Sequence, residues 1–392
     1  MQIVVVGGCG HVGLPLSVAL ANSSHSVVAF DISESAVQSV NSGHAPFWEP
    51  GLDLALKSAL NRGFKADLSS NTIIDADVVV VIVGTPIDIH LNPDPNAVIK
   101  AVEDIIPKLN DTQILILRST VFPGVTSQVE RLLAKHNLRT RVVFCPERIA
   151  EGFAMKELHE LPQIIGARSD VDFSRASEIF SSLGVKVVST SPEEAELAKL
   201  FTNTWRYIKF AAANQFWMMA NDSGVNFDNV RDAIRFEYPR AADFPVAGFT
   251  AGPCLFKDTM QLAAFSNNTF ALGNSAMMIN EGLPLYVVER ISRKYDLQTI
   301  KVGLLGMAFK GESDDNRSSL AYKLKRILKF KSAGVLTSDP YVKNDPELVS
   351  EETVIGECDI LIIASPHLRY KDLFIDKPVI DIWNLRGNGS AV

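Results

Sequence analysis

Gln2-Ile-Val-Val-Val-Gly-Gly-Cys-Gly-His-Val-Gly13 (QIVVVGGCGHVG) opens the chain with a β-branched run that ends on glycines. A short, continuous apolar run fits a strand buried on both faces of a parallel sheet. Gly8-Cys-Gly-His-Val-Gly13 then follows G-x-G-x-x-G spacing and leads into a helix-like segment, His11–Asn22. Asp31 ends the next strand-like run, Ser26–Phe30, 23 residues after Gly8. Glycines in such a turn let backbone N–H groups approach a pyrophosphate at a helix N-terminus. An acid at the second strand end accepts ribose hydroxyls and repels a 2′-phosphate, which favours NAD over NADP. The side chains of Cys9 and His11 read as bystanders in the loop.

The same texture continues outward. Strand-like runs at Val78–Val83, Gln113–Leu117 and Arg141–Phe144 alternate with helix-forming segments such as Asn96–Leu109. Such alternation predicts a doubly wound α/β domain. The texture changes near Ser189. Ser191-Pro-Glu-Glu194 is a capping box with proline at the first helical position. The segment after it has no Gly or Pro up to about Asp222, which predicts a helix of roughly 30 residues and about 45 Å. A second helical stretch covers Gly273–Tyr295. The last hundred or so residues echo the first. Lys301–Gly306 repeats the opening strand and turn, Gly334–Asp339 the strand ending in an acid, and Cys358–Pro366 the run Ala76–Pro86. The expected architecture is therefore α/β, with two Rossmann-like doubly wound lobes joined by a helical connector with a long central helix. The expected divisions are 1–190, 191–298 and 299–392.

Totals narrow the function classes. A chain of 392 residues, 47% of them hydrophobic, is too long for one ordinary core. The net charge of −7 is spread without a basic block, so nucleic acid is not an expected partner. The longest apolar run, Val78–Val83, is far too short to span a membrane. The N-terminus opens on a strand-like run, so no signal peptide is expected. Four scattered cysteines (Cys9, Cys145, Cys254, Cys358) lack Cys-x-x-Cys spacing. They argue against a metal site or disulfide framework and suit a reducing, cytoplasmic setting.

Several segments carry candidate chemistry. Gly84-Thr-Pro86 and Ser119-Thr-Val-Phe-Pro-Gly124 end predicted strands, where ligands bind in such sheets. Plain turn chemistry would explain either one alone. Glu147 and Glu151 follow another strand, and either could serve as a base for water; a solvated charged loop is the alternative. Lys199 and Asn203 are four apart on the long helix, on a face shared with Glu196 and Arg206. An ammonium beside an amide can stabilise an oxyanion, and an exposed polar stripe would look the same. In Gly248-Phe-Thr-Ala-Gly-Pro-Cys-Leu-Phe-Lys-Asp258, Cys254 stands before a helix start and near Lys257. Cations and helix N-termini favour a thiolate. Nucleophile and small apolar filler both remain open at this point.

Together these segments resemble the UDP-glucose/GDP-mannose dehydrogenase family over nearly the whole chain. The marks are Gly8–Gly13, Gly43-His-Ala-Pro-Phe-Trp-Glu-Pro-Gly51, Gly84–Pro86, Ser119–Gly124, Pro146-Glu147, Glu196–Asn203, Cys254–Asp258 and Gly306-Met-Ala-Phe-Lys310 with Asp315-Asn-Arg317. The resemblance implies an NAD-dependent oxidation of a UDP-sugar C6 alcohol to a carboxylate, through a Cys254 thiohemiacetal and thioester. It implies cofactor contacts at Gly8, Gly10, His11, Val12, Gly13, Asp31, Thr85, Pro86 and Thr120. It implies Cys254, Lys199, Asn203, Asp258, Glu151 and Thr120 as catalytic residues. Substrate contacts would be Glu147, Arg148, Lys199, Asn203, Lys257, Phe309, Lys310 and Arg317. The chain departs from the family pattern at Ala251-Gly252, where paired glycines are usual, and at Ile87 and Asp88 after the Thr-Pro turn. Pro146-Glu-Arg148 looks like the UDP-N-acetylhexosamine branch, the glucose branch tending to carry Pro-Glu-Phe. UDP-glucose oxidation, a two-electron β-hydroxyacid-type dehydrogenase and a non-catalytic nucleotide-sugar binder are the competing readings. The long helix is expected to expose Phe201, Trp205, Ile208, Phe216 and Trp217 around its circumference, which predicts a homodimer or higher homo-oligomer.

Overall fold

The computed structural model describes residues 1–85, 96–250, 252, 254–267, 269–390 and 392. They form two compact units, 1–202 and 203–392.

The first unit is built on eight strands: β1 (Gln2–Val6), β2 (Ser26–Phe30), β3 (Lys65–Asp67), β4 (Val78–Val81), β5 (Ile114–Leu117), β6 (Arg141–Phe144), β7 (Gln163–Gly166) and β8 (Val187–Thr190). Their spatial order is β3-β2-β1-β4-β5-β6-β7-β8, parallel throughout except for the antiparallel β6–β7 pair. β1 pairs with β2 on one side and β4 on the other, so the strand order reverses there. Ligands bind outside the carboxyl ends of strands at such a switch point. Alternation along β1 explains its uninterrupted apolar run. Ile3 and Val5 enter the core on one face of the sheet, Val4 and Val6 the core on the other. Each fully buried side chain of this kind stabilises the fold by roughly 1.5–3 kcal/mol.

The glycine turn delays the first helix. α1 runs over Gly13–Asn22, not from His11, because residues 7–12 make the turn itself. The helix expected over Asn96–Leu109 is regular only to Ile105; Pro107 cannot donate, and Ile106–Lys108 tighten into a 3₁₀ turn. β4 and β5 are each shorter than their apolar runs, ending at Val81 and starting at Ile114. α2 (Val125–Lys135) follows β5.

α3 (Pro192–Asp222) starts in the first unit and ends in the second. Its capping box is formed: Ser191 N–H donates to Glu194 Oε2 (2.8 Å) and Glu194 N–H to Ser191 Oγ (3.3 Å). Phe201, Trp205 and Phe216 are exposed on it, but Ile208 is half-buried against a small apolar cluster and Trp217 is fully buried. The expectation of an exposed Trp217 fails because its indole N–H donates to Ser390 O (3.0 Å) inside the second unit's core.

The second unit holds a four-stranded parallel sheet of β9 (Lys301–Leu305), β10 (Gly334–Ser338), β11 (Ile360–Ile363) and β12 (Val379–Ile380), in the order β10-β9-β11-β12. Its helices include α4 (Leu255–Phe265), α5 (Ala271–Ser292) and α6 (Leu320–Lys331). No described helix is long and apolar enough to cross a membrane. No cluster of His, Cys, Asp and Glu among the described residues could hold a metal ion.

Candidate active site

The glycine turn divides its labour residue by residue. Gly7, which the spacing argument passed over, makes the bend. Its φ is +76°, and a Cβ there would stand 1.9 Å from Ile82 O. Gly8 lies against β2, where a Cβ would come within 2.7 Å of Ala29 Cα; at Gly13 one would stand 2.1 Å from Gly7 O. Gly10 differs. It is exposed, and the nearest atom to a Cβ there is 3.7 Å away. Open space at Gly10 beside the N-terminus of α1 is what a pyrophosphate needs for close approach to the backbone. Val12 caps α1, and the His11 ring stacks on Phe47 at 4.1 Å.

Asp31 completes the cradle. Oδ2 accepts the Cys9 N–H and Oδ1 the Ser33 N–H, each at 3.0 Å, and the side chain is only partly buried. Each carboxylate oxygen has a lone pair left for a ribose hydroxyl. Burial, and then the charge of Asp31, push the Cys9 thiol up to about 12, so that cysteine is inert. These residues fit NAD, and Gly8–Gly13 with Asp31 would hold it. Thr85 is buried, and Pro86 lies outside the described residues.

The strand ends beyond the turn are braced by buried charges. Ser119 Oγ donates to Val83 O and accepts the Val83 N–H, both at 2.8 Å, tying β5 to β4 just before partly buried Thr120. Glu147 is buried rather than part of a solvated loop. Arg118 Nε donates to its Oε2 (2.8 Å), and Arg118 Nη2 bonds the same oxygen. Oε1 accepts the N–H groups of Arg148 (2.6 Å) and Ile149 (2.7 Å). Both oxygens are thus committed to the loop. The Arg148 guanidinium donates to Pro162 O, back onto the same unit. Glu151 sits between anchored amides. The Gly152 and Ala154 N–H groups donate to Glu49 (2.6 and 2.9 Å), and the Ala150 N–H to Glu157 (2.7 Å). Glu49 is a second residue the reading missed; its signal was the Trp-Glu-Pro-Gly segment that contains it.

The polar face of α3 is not a solvated stripe. Glu196 is buried and accepts Gly124 N–H (2.6 Å) and Thr126 N–H (2.8 Å) at the N-terminus of α2. Lys199 and Asn203 are also buried, while Arg206 is exposed.

In the second unit, Asn203 Nδ2 donates to Asp258 Oδ2 at 2.6 Å. Asp258 is fully buried and pairs through Oδ1 with Lys257 Nζ at 3.2 Å. Cys254 is the N-cap residue of α4 and is exposed, whereas Cys9, Cys145 and Cys358 are buried. The burial that a packing filler needs is therefore absent at Cys254. Gly252, at φ +102°, lies under Phe309; a Cβ there would stand 2.5 Å from the Phe309 ring. Lys310 Nζ lies 5.7 Å from that ring's centroid. Arg317 is folded onto Asp315, with Nε to Oδ1 at 2.9 Å and Nη2 to Oδ2 at 2.6 Å. The second unit thus gathers Asn203, Lys257, Asp258, Phe309 and Lys310 around the cysteine segment.

Residues 1–184 match the NAD binding domain of the UDP-glucose/GDP-mannose dehydrogenase family, 193–282 its central domain and 303–387 its UDP binding domain. The chain belongs to this family. It is an NAD-dependent nucleotide-sugar dehydrogenase. The UDP-N-acetyl-D-mannosamine dehydrogenase of Pyrococcus horikoshii is 31% identical over 387 residues, covering 95% of this chain and 91% of that protein. The solved structure of the UDP-D-ManNAc dehydrogenase from the same organism superposes with a TM-score of 0.91 at 29% identity, covering 98% and 96% of the two chains. A UDP-glucose dehydrogenase from Pyrobaculum islandicum superposes at 0.92 with 26% identity, covering 98% and 94%. Backbone shape alone therefore does not separate the two substrate types among these dehydrogenases.

Proposed function

We propose that this dehydrogenase oxidises the C6 alcohol of a UDP-N-acetylhexosamine to the uronate in two steps, acting in the cytoplasm, with Cys254 holding the intermediate. The observation that carries the reading is an exposed Cys254 at the N-cap position of α4, four residues before a buried Asp258 that is bonded to Asn203 and to the partly buried Lys257. NAD⁺, when bound, accepts the hydride in each of the two oxidations. In the first, C6 loses a hydride and its hydroxyl a proton, which leaves an aldehyde. The Cys254 thiolate adds to that carbon, forming a C–S bond and an oxyanion that takes up a proton. Loss of a second hydride and the hydroxyl proton turns this thiohemiacetal into a thioester. Glu151 takes one proton from water as it attacks, the C–S bond breaks with the electron pair leaving on the thiolate, and the new carboxylic acid gives its remaining proton to solvent to become the carboxylate.

The other residues serve this sequence. Lys199 and Asn203 stabilise charge on the C6 oxygen. Thr120 and Asp258 orient the water. Glu147 braces the loop that carries Glu151, and Lys257 holds Asp258. Phe309, Lys310 and Arg317 supply contacts for the nucleotide. The cofactor falls to residues 1–190, the thiol chemistry to 191–298 and UDP to 299–392. Covalent capture keeps a reactive aldehyde from escaping between oxidations. Arg148, in Pro146-Glu-Arg148, and the 31% identical UDP-N-acetyl-D-mannosamine dehydrogenase favour the acetamido sugar over UDP-glucose. Exposed Phe201, Trp205, Phe216 and Met219 on α3 favour a homodimer, which sedimentation velocity would contradict by finding a monomer.

The test is a panel of UDP-N-acetylmannosamine, UDP-N-acetylglucosamine, UDP-glucose and GDP-mannose with NAD⁺. The expected result is two NADH per acetamido sugar, and Cys254→Ala lowering turnover by on the order of 10³-fold or more while NAD⁺ still binds. One NADH per substrate, undisturbed by Cys254→Ala, would instead favour the two-electron β-hydroxyacid reading.

A further inference from the structure

Asn214 on α3 and Asn280 on α5 are both fully buried. Their amides are chained: Asn214 Nδ2 donates to Asn280 Oδ1 at 2.9 Å, and Asn280 Nδ2 donates to Tyr207 O at 3.2 Å. At the other end, Gly248 N–H donates to Asn214 Oδ1 at 2.9 Å. Backbone groups fix the direction of this chain. A peptide N–H can only donate and a peptide C=O can only accept, so neither amide can be flipped without breaking an end. Helix packing does not require such a pair. Apolar residues would fill the same core without the desolvation of two amides. What the pair uniquely supplies is a rigid acceptor for Gly248.

Gly248 begins the segment that leads to Cys254. It is enclosed on its other side by Trp383, whose ring would stand 2.3 Å from a Cβ at this position. The far end of the segment is held by the bond from Asn203 to Asp258. Asn203 and Asn214 lie on α3 eleven positions apart, which is three turns, so they share a face and stand roughly 16 Å apart along the axis. Gly248 and Asp258, on either side of Cys254 in the sequence, are thus each bonded to an asparagine of this one helix.

We propose that Asn214, supported by Asn280, is a positioning residue that fixes the place of Cys254 through Gly248. This rests on Cys254 being the nucleophile, and it adds two residues outside the reacting set. A displacement of about 1 Å of a reacting group lowers rate by about 10²-fold. Asn214→Ala in the full-length enzyme is expected to lower kcat by roughly 10–100-fold, with KM for NAD⁺ unchanged within about twofold. Alkylation of Cys254 by iodoacetamide at neutral pH, read by peptide mass spectrometry across a pH series, is expected to slow about threefold or more as the thiol leaves its place at the α4 N-terminus. Asn280→Ala keeps the Gly248 acceptor but not its support. It is expected to move both readouts in the same direction by less, and it serves should Asn214→Ala not fold. Folded variants that keep the parent kcat and the parent alkylation profile would overturn the proposal. Cys254→Ala separates the two ideas: full turnover there sinks the nucleophile reading, while the alkylation rates in the asparagine variants still judge the anchor.

Discussion

The two parallel sheets of this dehydrogenase use one device for different ends. In the first unit, β1 ends in a glycine turn, and the acid at the end of β2, Asp31, accepts a turn N–H from Cys9. In the second, β9 ends at Gly306 with φ +91°, and the acid that follows β10, Asp339, accepts the N–H groups of Met307 (2.6 Å) and Ala308 (2.9 Å). The likeness stops there. Asp31 is partly exposed, whereas Asp339 is buried and also receives Tyr341 N–H (2.8 Å), Val342 N–H (3.0 Å) and His367 Nε2–H (3.1 Å). His367 Nδ1 accepts Glu312 N–H at 2.9 Å, which places the imidazole proton on Nε2. Helix α1 starts directly after residues 7–12, but α6 starts at Leu320, after a loop from Gly306 to Ser319. A repeated strand, turn and acid therefore does not repeat a dinucleotide site. The second acid is spent on the glycine turn, on the residues just after it and on His367.

Substitutions should split the two acids. Asp339→Ala leaves several buried donors unpaired and is expected to remove about 3–5 kcal/mol of stability, read as a fall in the urea midpoint. A loss below about 1 kcal/mol would mean the two turns are not so different. Asp31→Ala should change stability little but weaken NAD⁺ binding about 10–100-fold, or roughly 1.4–2.8 kcal/mol by titration calorimetry. UDP affinity should stay the same. Equal loss of NAD⁺ binding in a folded Asp339 variant would erase the distinction.

Acid should produce a smaller effect of the same kind. Burial pulls the Asp339 pKa upward, but the His367 hydrogen bond and the N–H groups of Val342 and Met307 outweigh it, so the carboxyl lies below its ordinary range. Its contribution is fully present above the unfolded value near 3.9 and is lost as pH falls below that, by about 1–2 kcal/mol. Asp339→Asn should flatten this part of the stability profile, measured by denaturant titration between about pH 5 and pH 3.

The opening strand, its turn, the acid of β2 and the capping box at Ser191 were legible because each is a local pattern with one physical meaning. β3 and β8 were not. β3 is three residues long with two charges, and β8, at a sheet edge, has no buried residue and no alternation, so neither carries an apolar signal. Glu147 looked solvated because its partner Arg118 lies 29 residues away in sequence. The helical pattern placed Trp217 on α3 but could not say which side the second unit's core would cover. Cys254 was legible as a candidate from its neighbours, and its exposure decides against packing. Asn214 and Asn280 gave no signal, since a buried amide pair spans two helices and a loop that no short window contains.

The most direct test of the covalent account is the intact mass of Glu151→Gln after mixing with NAD⁺ and UDP-N-acetylmannosamine. With its base removed, the thioester should accumulate, adding the mass of the nucleotide-sugar acyl group at Cys254 within the first turnover. An unmodified protein that nevertheless yields two NADH per sugar would contradict the account.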